Sequence, residues 1–314
     1  MPEESAGRRG ADDPRETSDG GGQRGDDPQD TEDGGGRGSG ADGEVHEESQ
    51  KSYQTILEQE IAAGKHELER TAHGLAFSGL SAGLDLGFSV LLMGVMYTLA
   101  RDAFPEAVVE MLVANMYAIG FIFVIFGRSE LFTEHTTLAF LPVIDGQASL
   151  AQLGRLWGII YASNLVGICA FAAVVAWLAP ELGVVDPGAF AELAHRVTDH
   201  AWWVIMLSAV LAGWMMGLLS WLVTAGRDTI SQIFFVWLVT VAIGFAHLHH
   251  SVLGTGEVLA GVLQPGSPVG WDALASFTAL ATVGNAIGGI VFVGLVKYAH
   301  ASSKRFTSRA AWQG

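Results

Sequence analysis

The side chains best suited to chemistry in this sequence lie in GFAHLHHSVLGTGE, residues 244–257, where His247, His249, His250, Ser251 and Glu257 interrupt an apolar run. With an ordinary pKa of about 6.5, an imidazole at such a place holds a positive charge or lends a proton. It can draw in a small anion or let a weak acid cross as the neutral molecule. A second polar insertion, GRSELFTEH over 127–135, sets Glu130, Leu131, Phe132, Thr133, Glu134 and His135 between apolar flanks. Ionisable groups at bilayer depth are costly and face a bundle interior or a water-filled path. The neighbouring glycines point to broken helices, since irregular backbone at that depth is tolerated only inside protein or along a cavity.

The elements that hold these insertions are membrane spans. Half of the 314 residues are hydrophobic, and mean hydropathy is positive. The net charge of −16 is concentrated at one end, because residues 1–52 carry 15 Asp and Glu against 6 Lys and Arg. That stretch has almost no large apolar side chain and reads as a disordered acidic tail. The first residues, MPEESAGRRG, read as neither a signal nor a transit peptide, so the first apolar span is expected to act as the insertion signal. Over 53–73, Tyr53, Ile56, Leu57, Ile61 and Leu68 recur at helical spacing among charged residues, which predicts an amphipathic helix on the membrane surface. The transmembrane region over 74–300 divides into six spans near 75–99, 108–131, 156–179, 201–225, 230–263 and 272–298, followed by a C-terminal tail over 301–314.

Six spans place both termini on one side. Lys65, Arg70, Arg155, Arg227, Lys297, Lys304, Arg305 and Arg309 fall on that side, against Arg101 and Arg196 opposite, so both termini are expected to be cytoplasmic. The polar insertions occupy the middle span of each half, and SNLVG at 163–167 echoes GNAIGG at 284–289. The expected fold is an all-α membrane protein of two inverted three-helix repeats, with broken second and fifth helices and a site at the repeat interface.

Five segments resemble, in order and spacing, the formate/nitrite transporter family: GLSAGLDLGF (79–88), SELFTEHT (129–136), WGIIYASNLVG (157–167), GFAHLHHSV (244–252) and TVGNAIGG (282–289). The resemblance covers about residues 50–300. It implies an aquaporin-like protomer, assembly as a homopentamer in the cell membrane, and passage of small monovalent anions such as formate, nitrite or hydrosulfide. In the family, a loop breaking the second helix supplies a constriction, here Leu131, Phe132 and Thr133, and a histidine of the broken fifth helix projects into the pore. Counting without gaps from Phe235 makes that histidine His247; matching His-Ser-Val makes it His250. The sequence departs from the better-known members with Glu134 and His135 in LFTEH, Ser220 before Trp221-Leu222-Val223, and Ala246 before the histidine.

The other candidates have simpler readings beside the functional ones. Thr133 and Ser251 offer hydroxyl donors to an anion, and Ser220 lies along the inferred path. Glu130 and Glu257 are read as carboxyls bonded to backbone donors freed by the breaks, because carboxylates repel an anion. Asn164 and Asn285 are read as links between helices, and His249 as packing. A metal transporter built on the three clustered histidines with His135 lacks a completing carboxylate or thiolate set, and the lone Cys169 excludes an intrachain disulfide. A pore for neutral solutes is the other alternative. No nucleophile–base pair, cofactor motif or nucleic-acid motif stands out, which argues against an enzyme.

Overall fold

A computed structural model describes residues 50–300 of the chain, and all its regular structure is helical. Nearly all of the acidic tail, and the C-terminal tail from residue 301, lie outside the described residues. Helix α1 (Tyr53–Glu69) starts where the Ser52 hydroxyl accepts the Thr55 N–H. Its stripe of Ile56, Leu57 and Ile61 is buried with Leu141 and Trp221. Within the same buried face lies Glu60, which accepts hydroxyl bonds from Ser220 and Thr224. The stretch expected as one helix to 73 is divided, because the Thr71 hydroxyl accepts the Gly74 N–H and starts a new helix.

That helix is α2 (Ala72–Ala100). There follow α3 (Glu106–Gly127), α4 (Phe132–Leu138), the single turn α5 (Leu141–Ile144), α6 (Leu150–Glu181) and α7 (Pro187–Thr198). The second half comprises α8 (Trp202–Ala225), α9 (Thr229–Phe245), α10 (Ser251–Val262) and α11 (Trp271–Gly288), which runs on through a π-helical stretch, Gly289–Leu295. α7 was not anticipated, although Asp186-Pro187 marks its start. The Asp186 carboxylate accepts the Gly188 N–H, and proline occupies the first helical position.

Among the described residues, five helices are long and apolar enough to cross a bilayer: α2, α3, α6, α8 and the continuous stretch Trp271–His300. α9 and α10, of 17 and 12 residues, are each shorter than the roughly 20 residues that a span requires. Large apolar side chains on the long helices, among them Phe77, Trp177 and Trp202, are exposed, as a lipid-facing surface demands. Two close approaches draw the long helices together. A Cβ on Gly83 would collide with the backbone of Asn164 and Ile168, and one on Gly213 with the backbone of Asn285. These glycines bring α2 against α6 and α8 against α11 at the two asparagines that serve the helix breaks.

Candidate functional site: two helix breaks and the contact between them

Between α3 and α4 the chain leaves helical geometry at Arg128, which takes a left-handed conformation with φ 58°. Its N–H and that of Ser129 both return to the Val124 carbonyl. Leu131 is extended and hands the chain to α4 at Phe132, whose N–H donates to Asn164 Oδ1 at 2.8 Å. Between α9 and α10 the same sequence of events occurs. His247 is left-handed at φ 49°, His250 is extended, and α10 starts at Ser251, whose N–H donates to Asn285 Oδ1 at 2.8 Å. The backbone donors at the breaks are thus served by buried asparagine amides. Glu130, read from the sequence as a partner for such donors, is engaged by side chains instead.

The starts of the two short helices meet side chain to side chain. Thr133 Oγ1 lies 2.8 Å from His250 Nε2, and both residues are enclosed, at 0% and 1% exposure. His250 Nδ1 accepts the Leu253 N–H and thereby caps α10. An accepting Nδ1 puts the proton of the neutral ring on Nε2, so Nε2–H donates to Thr133. The hydroxyl proton of Thr133 then has no acceptor among the described residues. It is a donor available to a small solute. Phe121 meets the His250 ring edge-on with centroids 5.1 Å apart, and Leu131 is fully buried in the same apolar core. Ser251 Oγ and Tyr117 Oη are buried without a hydrogen-bond partner among the described residues.

His250 lines one cavity and Glu134, the neighbour of Thr133, lines another; the two cavities share no lining residue. One is lined by Tyr97, Glu110, Tyr117, Arg196, His247, His250 and Glu257 among others. The second is lined by His66, Glu67, Arg70, Glu130, Glu134 and His135 with apolar neighbours. Charges in each are largely paired. Arg196 bonds Glu110 and Glu192, and His247 Nε2 lies 3.0 Å from Glu110. Arg70 bonds Glu67 at 2.6 Å and Glu130 at 2.5 Å. Burial works to lower the pKa of Arg70, but the bonds and charges of Glu67 and Glu130 outweigh it, and the guanidinium is held above its ordinary value. His135 donates Nδ1–H to the Leu131 carbonyl, and its Nε2 lies 2.9 Å from Glu130, off the line of a good hydrogen bond.

The sequence candidates therefore separate. His250, Thr133 and Leu131 gather at the Thr133–His250 contact, whereas His247 sits 47% exposed at the turn of the second break. His249 is fixed away from them, with Nε2 donating to the Val197 carbonyl and Nδ1 bonded to Ser208. Phe132 packs on Tyr161 and Trp157 of α6. Ser220 lies under α1, bonded to Glu60. Glu257 is buried at 8% exposure and lines the first cavity, with no hydrogen bond from a described residue. Glu134, which the sequence singled out only as a departure from the family pattern, lines the other cavity.

Among the described residues, the only carboxylate and imidazole group tight enough for a metal ion is Glu67, Glu130 and His135, with donor atoms within 4.8 Å of one another. The Arg70 guanidinium is already bonded to both carboxylates. None of the three clustered histidines joins that set.

Comparison with known proteins agrees with this architecture. The family model described as formate/nitrite transporter matches residues 54–299. An inner membrane protein of Escherichia coli (strain K12), YfdC, is 28% identical over 255 residues, covering 79% of this chain and 78% of the relative. A solved FNT family ion channel superposes with a TM-score of 0.70 at 22% identity, covering 78% of this chain and 98% of the channel. A pentameric formate channel with formate bound superposes with a TM-score of 0.62 at 20% identity, covering 73% and 97%. With its family's motifs spread over nearly all the described residues and its apolar helices, this chain is a membrane protein belonging to the formate/nitrite transporter family, a family of transporters and not of enzymes.

Proposed function

We propose that the chain forms a transmembrane passage for small monovalent weak-acid anions such as formate, nitrite or hydrosulfide, with the Thr133–His250 contact as its central polar station. α9 and α10 together make one interrupted span, which brings the count to six. The two halves are inverted repeats, related by the matching breaks at Arg128 and His247. The chain assembles as a homopentamer in the plasma membrane with both termini cytoplasmic, as in the pentameric relative and as the distribution of basic residues favours.

The observation that carries this reading is the enclosed Thr133–His250 bond, whose His250 lines one cavity and whose neighbour in sequence, Glu134, lines another. A bare anion entering low dielectric loses its hydration, and that loss is offset only by donors or by neutralisation. The free hydroxyl proton of Thr133, polarised by the Nε2–H of His250, is such a donor. The N-terminus of α10 adds partial positive charge beside it through the helix dipole.

A passage for neutral solutes is the second reading, favoured by Glu134 and Glu257, one in each cavity, which in ionised form would repel a bare anion. Flux in proteoliposomes across a panel of weak acids, compared between about pH 5 and 8, tests the choice. pH-dependent uptake that falls in His250→Ala and persists in His247→Ala is expected. Equal conduction by both variants and the parent, with one pH profile, would remove the histidine from the mechanism. Swelling that is indifferent to anions would favour the neutral pore.

A further inference from the structure

Glu257 has no part in the passage described above, yet its position is that of a proton donor to the solute. It lies on α10 at positions i+7 from His250 and i+3 from Gly254, so the three share one helix face, and all three line the same cavity. Seven residues of helix place Glu257 about 10 Å along the axis from His250, and at Gly254 between them the ring of Phe277 packs directly on the backbone, so that Gly254 and Phe277 both line the cavity. Glu257 is more than nine-tenths buried and receives no hydrogen bond from a described residue.

Every charged neighbour is already engaged. From α7, Arg196 is held by Glu110 of α3 and by Glu192. In the break, His247 is held by Glu110, His249 by Ser208 and the Val197 carbonyl, and His250 by Thr133 and the Leu253 N–H. α2 contributes Tyr97 and α3 Tyr117 to the lining; α6 contributes nothing ionisable, and α11 contributes only Phe277. An ionised carboxylate without a counter-ion or a donor is costly to enclose, so Glu257 rests as the carboxylic acid. His250 is poorly placed for that duty, because both its nitrogens are committed and protonating Nδ1 would break the cap of α10.

We propose that Glu257 exchanges a proton with the transported weak acid; the proposal rests on the transport reading given above and names the group that neutralises the anion. The O–H bond of Glu257 breaks as an O–H bond forms on the incoming anion, leaving a carboxylate and a neutral acid. The neutral acid passes the Thr133–His250 contact and ionises to water in the opposite cavity. The Glu257 carboxylate regains its proton from water in its own cavity. One proton and one anion thus cross together, with no net charge moved.

The test is formate uptake by proteoliposomes with a pH-sensitive dye inside. The parent is expected to acidify the lumen as formate enters. Glu257→Gln keeps the shape and cannot release a proton, so formate flux should fall about 100-fold, the low end for loss of a positioned proton donor, and its pH dependence should flatten. Glu257→Asp should restore flux with a displaced pH profile. Parental rate and profile in Glu257→Gln would overturn the assignment, whereas a merely structural carboxyl predicts that outcome for a folded amide variant. If Glu257→Gln does not assemble, Glu257→Asp decides: a displaced profile supports the assignment and an unchanged one overturns it. Formate entry into parent vesicles without lumen acidification refutes the proton assignment alone. No formate or other weak-acid entry in the parent refutes the transport reading and the assignment with it.

Discussion

Asn164 and Asn285 make the same three hydrogen bonds at the same distances. Each Oδ1 accepts the first N–H of a short helix at 2.8 Å, and each Nδ2 donates at 2.8 Å to a carbonyl of a long helix, Gly79 or Ala209. The second donation, at 2.9 Å, goes to a carbonyl within the break, Glu130 or His249. One primary amide, with an acceptor and two donors, satisfies three backbone groups that the start of a short buried helix would otherwise leave bare. No other side chain of that size has this inventory.

Replacing either asparagine by the near-isosteric leucine should therefore cost about 3 kcal/mol or more, at roughly 1 kcal/mol for each bond lost and more where a buried group is stranded. Thermal unfolding in detergent should show comparable losses for Asn164→Leu and Asn285→Leu. A large loss at one site and none at the other would refute their equivalence.

Thr133 separates a conducting role from a packing one. Thr133→Val keeps the shape and removes the hydroxyl, so a solute loses one hydrogen bond. That is about 1.4 kcal/mol, or tenfold in flux. Thr133→Ser should stay near the parent rate. Unchanged flux in Thr133→Val, with the fold intact, would show that the contact only packs the two helices together.

Much of this arrangement was legible in the sequence, for a physical reason. Polar residues inside apolar runs are too costly to be incidental, so both breaks and their asparagines stand out. The histidine of the contact did not, because His247 and His250 are equally plausible until the backbone is traced. Only the left-handed turn at His247 shows that its ring points to Glu110, while His250, three residues on, caps α10 and faces Thr133. α7 escaped because it is too short and too polar to read as a span, although Ala189, Phe190, Leu193 and Ala194 recur at helical spacing behind Asp186-Pro187. Ser220 misled through its place in a span; its partner Glu60 belongs to α1, which is far away in sequence.

The left-handed residues make a prediction of their own. Arg128 at φ 58° is exposed, and L-residues other than glycine lose roughly 1–2 kcal/mol in that region. Arg128→Gly should raise the unfolding temperature by relieving that strain, whereas Arg128→Val should lower it. A stabilised valine variant would mean that the turn is set by something other than the backbone of residue 128.

Glu60 ties α1 to pH. Its carboxyl is enclosed beneath α1, and desolvation raises its pKa above the ordinary carboxylate value, against the opposing bonds from Thr224 and Ser220 and the charge of His135. A folded pKa raised above the unfolded one means that the folded state holds the proton more tightly. The stabilisation is complete below the ordinary value and is lost as pH rises through the folded one. α1 should thus dock more firmly in mildly acid solution and loosen toward alkaline pH. The docking is readable as trypsin cleavage at Lys65 and as fluorescence of Trp221, whose ring lies 4.6 Å from that of Tyr53. Glu60→Gln keeps the hydroxyl partners without the titrating proton and should flatten both readouts between pH 5 and 8, a window of about three units around neutrality. Ser220→Ala, which removes a donor that favours the ionised form, should move the loosening to higher pH; loosening at lower pH, or an unaltered profile in Glu60→Gln, would place the sensitivity elsewhere.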